Sequence, residues 1–324
     1  MADWRQDLRR WYAQNRRDLP WRRTRDPYAI WVSEIMCQQT QIAAVLPYFV
    51  RWMERFPTVE SLANATGGEV HALWQGLGYY RRADMLHRGA KYVCENGWPG
   101  SFLAWRAVPG VGQYTAGAIA SISLGEPVPA VDGNVVRVYA RLQADQSSFD
   151  QASKYAERWA HEVMPTQDCG DWNQALMELG ALVCRPKGPR CGECPLNRHC
   201  RATKLGIQNE LPVPKVAPTV RHIEMPVVVP VFGDFVGLTQ QRSVRWWRGL
   251  WTFPERVSDD FVTQISNLPP VQHTVTNHRI TFVPKLAVLA EQAPELSWFS
   301  RAQLAEVAIP AAHQKILKLI PAIA

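Results

Sequence analysis

The chain has 324 residues, 47% of them hydrophobic and 20% charged, which is long enough for two domains and apolar enough for each to bury a core. Its formal net charge of +7 favours a polyanionic partner, although charges of that size also occur on proteins that never meet nucleic acid. No run of about 18 uninterrupted apolar residues occurs and the opening MADWRQDLRRWYAQNRR has no apolar segment, so neither a membrane span nor a secretory signal is expected and a reducing, cytoplasmic setting is.

From about residue 3 to 183, apolar residues recur at three-to-four spacing, with breaks at Pro20, Pro57, Gly67-Gly68, Gly97, Pro109-Gly110, Pro127 and Pro165. That pattern predicts a many-helix domain. Within it, WVSEIMCQQTQ (residues 31–41) reads as a helix carrying Glu34, Gln38 and Gln41 on one face, beside an apolar arc of Trp31, Ile35 and Ile42. A carboxylate beside such an arc is partly desolvated, and its pKa can rise until it donates a proton near neutrality; the plain alternative is a solvated helix glutamate. GLGYYRR (residues 76–82) combines flexible glycines, the apolar Leu77, two tyrosines including Tyr79, and two cations. Those are the ingredients of a loop that inserts into a base stack, and equally of a helix-to-helix turn with core aromatics.

VPGVGQYTA (residues 108–116) places Gly110 and Gly112 around one apolar residue at the start of a helical run. This is the helix-hairpin-helix signature, in which glycines bare the backbone N–H groups of a helix start to a DNA phosphate. VDGNVVRV (residues 131–138) puts Asp132 at the mouth of the next helix, where by itself it is most simply an N-cap.

Four of the seven cysteines, Cys184, Cys191, Cys194 and Cys200, follow with the spacing C-x6-C-x2-C-x5-C, far from Cys37, Cys94 and Cys169. Four thiolates stay close only when a cation or cluster neutralises them, so the spacing implies iron, an iron–sulfur cluster or zinc. Zinc sites usually pair two short knuckles and only one short gap exists here, which favours a [4Fe-4S] cluster without deciding the metal. Disulfides suit neither the expected compartment nor a chain of this size. Residues 201–225, punctuated by Pro212, Pro214 and Pro218, read as an extended linker. Beyond it, 227–231, 235–238, 274–283 and 285–290 are short and β-branched while 301–308 and 311–319 look helical, which predicts a small α+β domain over 226–324.

In this order, these elements resemble the helix-hairpin-helix DNA glycosylases with an iron–sulfur loop, the group that contains endonuclease III. Within that group VSEIMCQQTQ, QGLGYYRRA, VPGVGQYTAGAIASISLG, VDGNVVRV, NQALMELGALVC and the cysteine spacing look like the MutY-type adenine DNA glycosylases. The resemblance implies a multidomain chain: an all-α glycosylase domain over 1–200 that includes the cluster loop at 184–200, then a small Nudix-like α+β domain. It implies removal of adenine opposite 8-oxoguanine or guanine from double-stranded DNA by a monomeric enzyme. Glu34 would protonate the departing base and Asp132 would stabilise the sugar cation. Tyr114 would line the sugar pocket and Glu178 would help hold base or water. Gln39, Thr40, Leu77 and Tyr79 would fill the gap and probe the lesion strand, and Gly110, Gly112 and Gln113 would meet the phosphate.

Relatives that also cut the strand carry a lysine two residues after the hairpin's second glycine. Here that residue is Tyr114, and a phenol cannot form a Schiff base. The resemblance therefore implies a monofunctional enzyme; an endonuclease III-like lyase and a non-catalytic cluster protein are the alternatives. RGLWTFP (residues 248–254) resembles a segment of the MutY C-terminal domain, but no Nudix box of clustered glutamates is present. The family's F-S/T-H lesion-reading segment aligns with Val275, Thr276 and Asn277, keeping the hydroxyl but changing its neighbours, with His278 next door as a substitute.

Overall fold

The computed structural model describes residues 3–215, 219–240 and 246–321. Two compact units emerge, one made of Met1–Asn64 with Met85–Val216, the other of Ala65–Asp84 with Ala217–Ala324.

The first unit is helical as predicted. Its helices are α1 (Trp4–Asn15), α2 (Pro27–Cys37), α3 (Ile42–Arg55) and α4 (Val59–Ala63), then most of α6 (Arg81–Asn96), α7 (Phe102–Trp105), α8 (Gln113–Ile119), α9 (Gly133–Gln143), α10 (Phe149–Glu162), α11 (Cys169–Leu182) and α12 (Arg201–Leu205). The α2 start is encoded by Asp26-Pro27: the Asp26 carboxylate accepts from the N–H groups of Tyr28 and Ala29, and proline takes a first-turn position where no N–H is needed. Eight of the eleven α2 residues are buried, while Glu34 and Cys37 are half-buried at the cavity. α8 runs into a π-helical turn at Ala120–Leu124, closed by the left-handed Gly125. That π turn packs where a Cβ on Gly170 would lie 2.7 Å from Ile122 Cα.

The stretch expected to be an extended linker departs from that expectation at its start. Arg201–Leu205 is helix, Ala202 and Leu211 are buried, and Arg141 Nε donates to the Leu211 carbonyl at 2.9 Å. Pro212 follows directly on this packed Leu211; Pro218 lies outside the described residues.

The second unit contains α5 (Gly67–Trp74), the loop before α6, and a mixed sheet: β1 (Arg221–Phe232), β2 (Phe235–Gln240), β3 (Trp251–Thr252), β4 (Val262–Asn267), β5 (Val271–Val275), β6 (His278–Leu289) and β7 (Ser297–Ser300), with α13 (Ala311–Leu317) against it. The order is β3-β2-β1-β6-β4, with β5 also on β6 and β7 on β2; β1 and β6 run parallel over eleven residue pairs. Two expected strands, 274–283 and 285–290, are rearranged. A turn at Thr276-Asn277 separates β5 from β6, and β6 then continues through Pro284. Proline is tolerated because its carbonyl accepts from Leu268 N at 3.0 Å, so its missing N–H faces the gap between β4 and β5 and breaks no ladder bond. The helix expected at 301–308 is only a 3-10 turn at Gln303–Ala305. Among the described residues, no helix is long and apolar enough to cross a membrane.

Candidate active site

One cavity of about 790 Å³ in the helical unit gathers Glu34, Tyr114, Asp132 and Glu178, four residues from four helices or helix starts. Its size suits a nucleoside-sized group, and apolar walls with a few convergent polar groups are the usual form of such a site. Leu19, Trp21, Ile30, Ile122, Val131 and Met177 supply the walls.

Glu34 enters from the middle of α2. Tyr114, in the first turn of α8, donates its hydroxyl to Glu34 Oε2 at 2.6 Å and lies 3.2 Å from Met177 Sδ. Burial pushes the Glu34 carboxyl up to about 7; the Tyr114 hydrogen bond and the Arg22 charge oppose the rise, and the Asp132 charge adds to it. Tyr114 is raised well above 10, chiefly by burial and then by the Glu34 and Asp132 charges. At neutral pH it is therefore a hydroxyl donor and not a phenolate.

Asp132 does cap α9. Its Oδ1 accepts from the N–H groups of Asn134 and Val135, both at 2.9 Å, and its Oδ2 accepts from Asn134 Nδ2 at 2.6 Å. Burial raises its pKa while these bonds and the Arg137 charge favour the ionised form. The cap is continuous with the cysteine segment. Arg137 Nη2 donates to Asn134 Oδ1 at 2.6 Å, and Arg137 Nε to the Cys184 carbonyl at 2.7 Å.

Glu178 sits in the cavity wall with a side chain only 1% exposed. Five donors saturate it: Arg17 N, Nε and Nη2, and Arg22 Nη1 and Nη2, at 2.6–2.9 Å. Burial pushes its carboxyl up, but the two arginines overcome that and hold it at about 2. It is thus a fixed anion that positions Arg17 and Arg22, with little capacity left to hold base or water itself. Neither arginine is marked by any periodic or motif signal, since Glu178 lies 161 and 156 positions away.

The predicted helical face of Glu34, Gln38 and Gln41 is not one face. α2 ends at Cys37, Gln39 takes a left-handed φ of 55°, and Gln41 starts α3 as its N-cap. Glu34, Gln38, Gln39, Thr40 and Gln41 nevertheless all reach the cavity, because the tight turn folds the glutamines back over it. In the hairpin, Gly110 has φ 81° and a Cβ there would lie 2.4 Å from Met85 Cβ, whereas Gly112 meets nothing within 4 Å. Only the first glycine is demanded by the fold. Gln113 is exposed and tied at both ends, Nε2 donating to Glu157 at 2.5 Å and Oε1 accepting from Arg106 at 3.4 Å.

In the second unit, Leu77 is 7% exposed and Tyr79 49%, so the tyrosine is the ring this loop presents. Thr276, at a left-handed φ of 52°, is exposed at the β5–β6 turn, and Asn277 Nδ2 donates to the Thr219 carbonyl at 3.0 Å. His278 does not join them. It opens β6 with 3% exposure and packs edge-on against Trp246, 5.0 Å between centroids, as a core residue.

Cys184, Cys191, Cys194 and Cys200 line one small cavity with Arg141. Burial pushes the Cys194 thiol up to about 12, and the other three thiols all push it further in that direction. Arg141, itself 2% exposed, donates Nη1 to Cys184 Sγ at 3.3 Å. Among the described residues no three Cys, His, Asp or Glu side chains are placed to hold one metal ion. Four cysteine side chains converging on one small cavity are a donor set of the kind that thiolate-bound metal centres use.

A profile described as HhH-GPD superfamily base excision DNA repair protein matches residues 32–166, and a NUDIX domain profile matches 227–319. An adenine DNA glycosylase of Buchnera aphidicola (subsp. Baizongia pistaciae) is 30% identical over 300 residues, which cover 90% of this chain and 82% of that protein. The chain belongs to the adenine DNA glycosylase family. The human adenine DNA glycosylase is 44% identical over 223 residues, 64% of this chain, but the match covers only 40% of the human protein, and that with the Arabidopsis thaliana relative covers 48%. The chain thus spans less than half the length of these family members. Among solved structures, a thermostable thymine-DNA glycosylase superposes with a TM-score of 0.57 at 27% identity, covering 62% of this chain and 95% of that one. A non-covalent endonuclease III–DNA complex gives 0.54 at 22% identity over 63% and 95%, a likeness of fold. The first unit is therefore an endonuclease III-like helix-hairpin-helix domain, and the sheet is Nudix-like.

Proposed function

We propose that this protein excises adenine mispaired with 8-oxoguanine, and with guanine, from duplex DNA by hydrolysing the N-glycosidic bond, acting as a monomer and leaving an abasic site. The observation that carries the reading is the Tyr114–Glu34 pair facing Asp132 in one cavity. A carboxyl held near 7 is half protonated at neutral pH, the condition a general acid needs. Tyr114 occupies Oε2 as a donor, which leaves Oε1 to carry the proton to the departing adenine. Asp132, whose carboxylate form three hydrogen bonds and the Arg137 charge favour against the rise that burial imposes, stabilises the sugar cation as the bond breaks. Two carboxyls in unlike environments divide acid and anion between them. No amine faces the sugar from position 114, which supports hydrolysis without strand cleavage.

Adenine must leave the stack to enter the cavity, at a cost of a few kcal/mol that is smaller at a mispair. The exposed Tyr79 and the Thr276-Asn277 turn support a lesion-reading role for the second unit. Cys184, Cys191, Cys194 and Cys200 would hold a [4Fe-4S] cluster. When bound, that cluster would neutralise the thiolates and fix the loop, whose Arg185, Lys187, Arg190, Arg198 and Arg201 would meet phosphates. Cys191→Ser should remove the broad visible absorbance together with iron and sulfide content, and should lower DNA affinity.

The direct test incubates the protein with duplexes holding A opposite 8-oxoguanine, A opposite T, or thymine glycol, then compares strand breakage with and without hot alkali. Breakage at adenine opposite 8-oxoguanine that requires alkali is the expected result. Alkali-independent breakage at thymine glycol would move the chain to a lyase reading, and binding without any breakage would remove catalysis altogether.

A further inference from the structure

The loop that presents Tyr79 is held in a conformation its residues do not favour. Gly76 and Gly78 have φ of 103° and 71°, and Tyr79 itself has φ 49°, a left-handed setting that an aromatic residue adopts only when its surroundings impose it. One side chain makes several of the contacts that hold it. Arg82, in the first turn of α6, donates Nη2 to the Leu77 carbonyl at 3.1 Å and to the Gly78 carbonyl at 3.2 Å. Its guanidinium carbon also lies 5.4 Å from the Trp74 ring centroid and 5.5 Å from that of Tyr79. Trp74 is fully buried and donates its indole N–H to the same Gly78 carbonyl at 3.0 Å. The exposed tyrosine is thereby linked through one cation to a core tryptophan, while Leu77 is turned inward.

We propose that Arg82 is the positioning residue of the DNA wedge: it clamps the 76–79 loop and holds the Tyr79 ring ready to enter the base stack beside a mispair. The proposal rests on the functional reading above. A wedge that is already shaped avoids an ordering cost on binding, so the clamp should appear as affinity for the distorted site and not for DNA in general. Lysine can replace it only in part. An ammonium could still donate to both carbonyls, which share one nitrogen here, but as a point charge it cannot lie flat near the Trp74 and Tyr79 rings.

The test is a double-mutant cycle read by equilibrium binding to two duplexes, one with A opposite 8-oxoguanine and one fully paired, each carrying 2-aminopurine next to the test position. Arg82→Lys should weaken mispair binding by about tenfold while changing paired-duplex binding by less than about twofold, because the charge is kept. The 2-aminopurine brightening caused by unstacking should fall with it. On a Tyr79→Ala background the same lysine substitution should cost less than about twofold, since the group it positions is gone. Tyr79→Ala alone, which removes a half-exposed ring and leaves Trp74 packed, should match the Arg82→Lys loss and keeps the idea testable if Arg82 variants are unstable. Equal losses on both duplexes would make Arg82 a phosphate contact, and an undiminished loss on the alanine background, or wild-type binding by Tyr79→Ala, would overturn the clamp. A wild-type protein that does not prefer the mispaired duplex would sink the functional reading, and the wedge with it.

Discussion

The Tyr114 hydroxyl reaches Glu34 Oε2 at 2.6 Å from 80 positions away in the chain, and this bond works against the burial that dominates the titration of the group read as the general acid. It favours the carboxylate and so holds the Glu34 pKa lower than burial alone would leave it. Excision needs the protonated form, so the single-turnover rate should fall as pH rises through about 7. Tyr114→Phe removes the opposing bond and should move that alkaline limb upward. A limb that stays in place in the phenylalanine variant would separate Glu34 from the pH profile.

Glu34→Gln should reduce excision by about a thousandfold, the scale of a lost general acid, and yet should stabilise the fold. Because burial raises the folded-state carboxyl from 4.5 to about 7, its contribution is fully present below 4.5 and is lost as pH climbs through 7, by up to about 3 kcal/mol. The variant should therefore melt higher than wild type at pH 8 and no higher at pH 4. Thermal melts at the two pH values decide it.

The Glu178 cluster has the opposite sign. Arg17 and Arg22 hold this carboxyl at about 2, below its ordinary 4.5, so it stabilises the fold above 4.5 and that stability drains away as pH falls toward 2, by about 3 kcal/mol. Glu178→Ala leaves two arginines without their anion and should cost more than that at pH 7, within the roughly 3–5 kcal/mol range of a broken buried pair. Urea titrations at pH 7 and pH 3 should show the penalty shrinking with acid.

Asp132→Asn separates two jobs that share one side chain. Asparagine caps helices about as well as aspartate, so the melting temperature should change little, while loss of the anion should abolish turnover. A large drop in stability would mean that the cap and not the charge explains any lost activity.

The two hairpin glycines should behave differently. Gly110→Ala meets Met85 Cβ at 2.4 Å with φ at 81° and should destabilise the domain by about 2 kcal/mol or more. Gly112→Ala meets nothing within 4 Å, so denaturant stability should hold while DNA affinity falls, which makes it the better probe of backbone approach to phosphate.

The cysteines stood out by their spacing alone, whereas Glu34 and Asp132 had plain readings by themselves and, like Tyr114, were singled out by the resemblance that their segments carry. Three kinds of information escaped that reading. The Arg22–Glu178 contact joins residues 156 positions apart and leaves no trace in either neighbourhood. The end of α2 depended on Gln39 adopting φ 55°, a choice made by the turn into α3 and not by residue type. In the sheet, β4 (VTQISN) is exposed at nearly every position, so it carries no alternating apolar pattern to find, and His278 looked polar while the fold used it as core. Pro284 concealed the continuity of β6 for a similar reason, since its fitness as a strand residue comes from a gap between neighbours.

The burial of eight of the eleven α2 side chains bears on how variants of this chain are to be interpreted. A helix packed that completely has almost no mutationally silent position: trimming a methyl group from Val32 or Ile30 opens a void beneath the helix that carries Glu34, while replacing Glu34 removes the acid. A screen scored only by surviving activity would rank these positions together, and scoring soluble yield alongside would sort the scaffold from the chemistry.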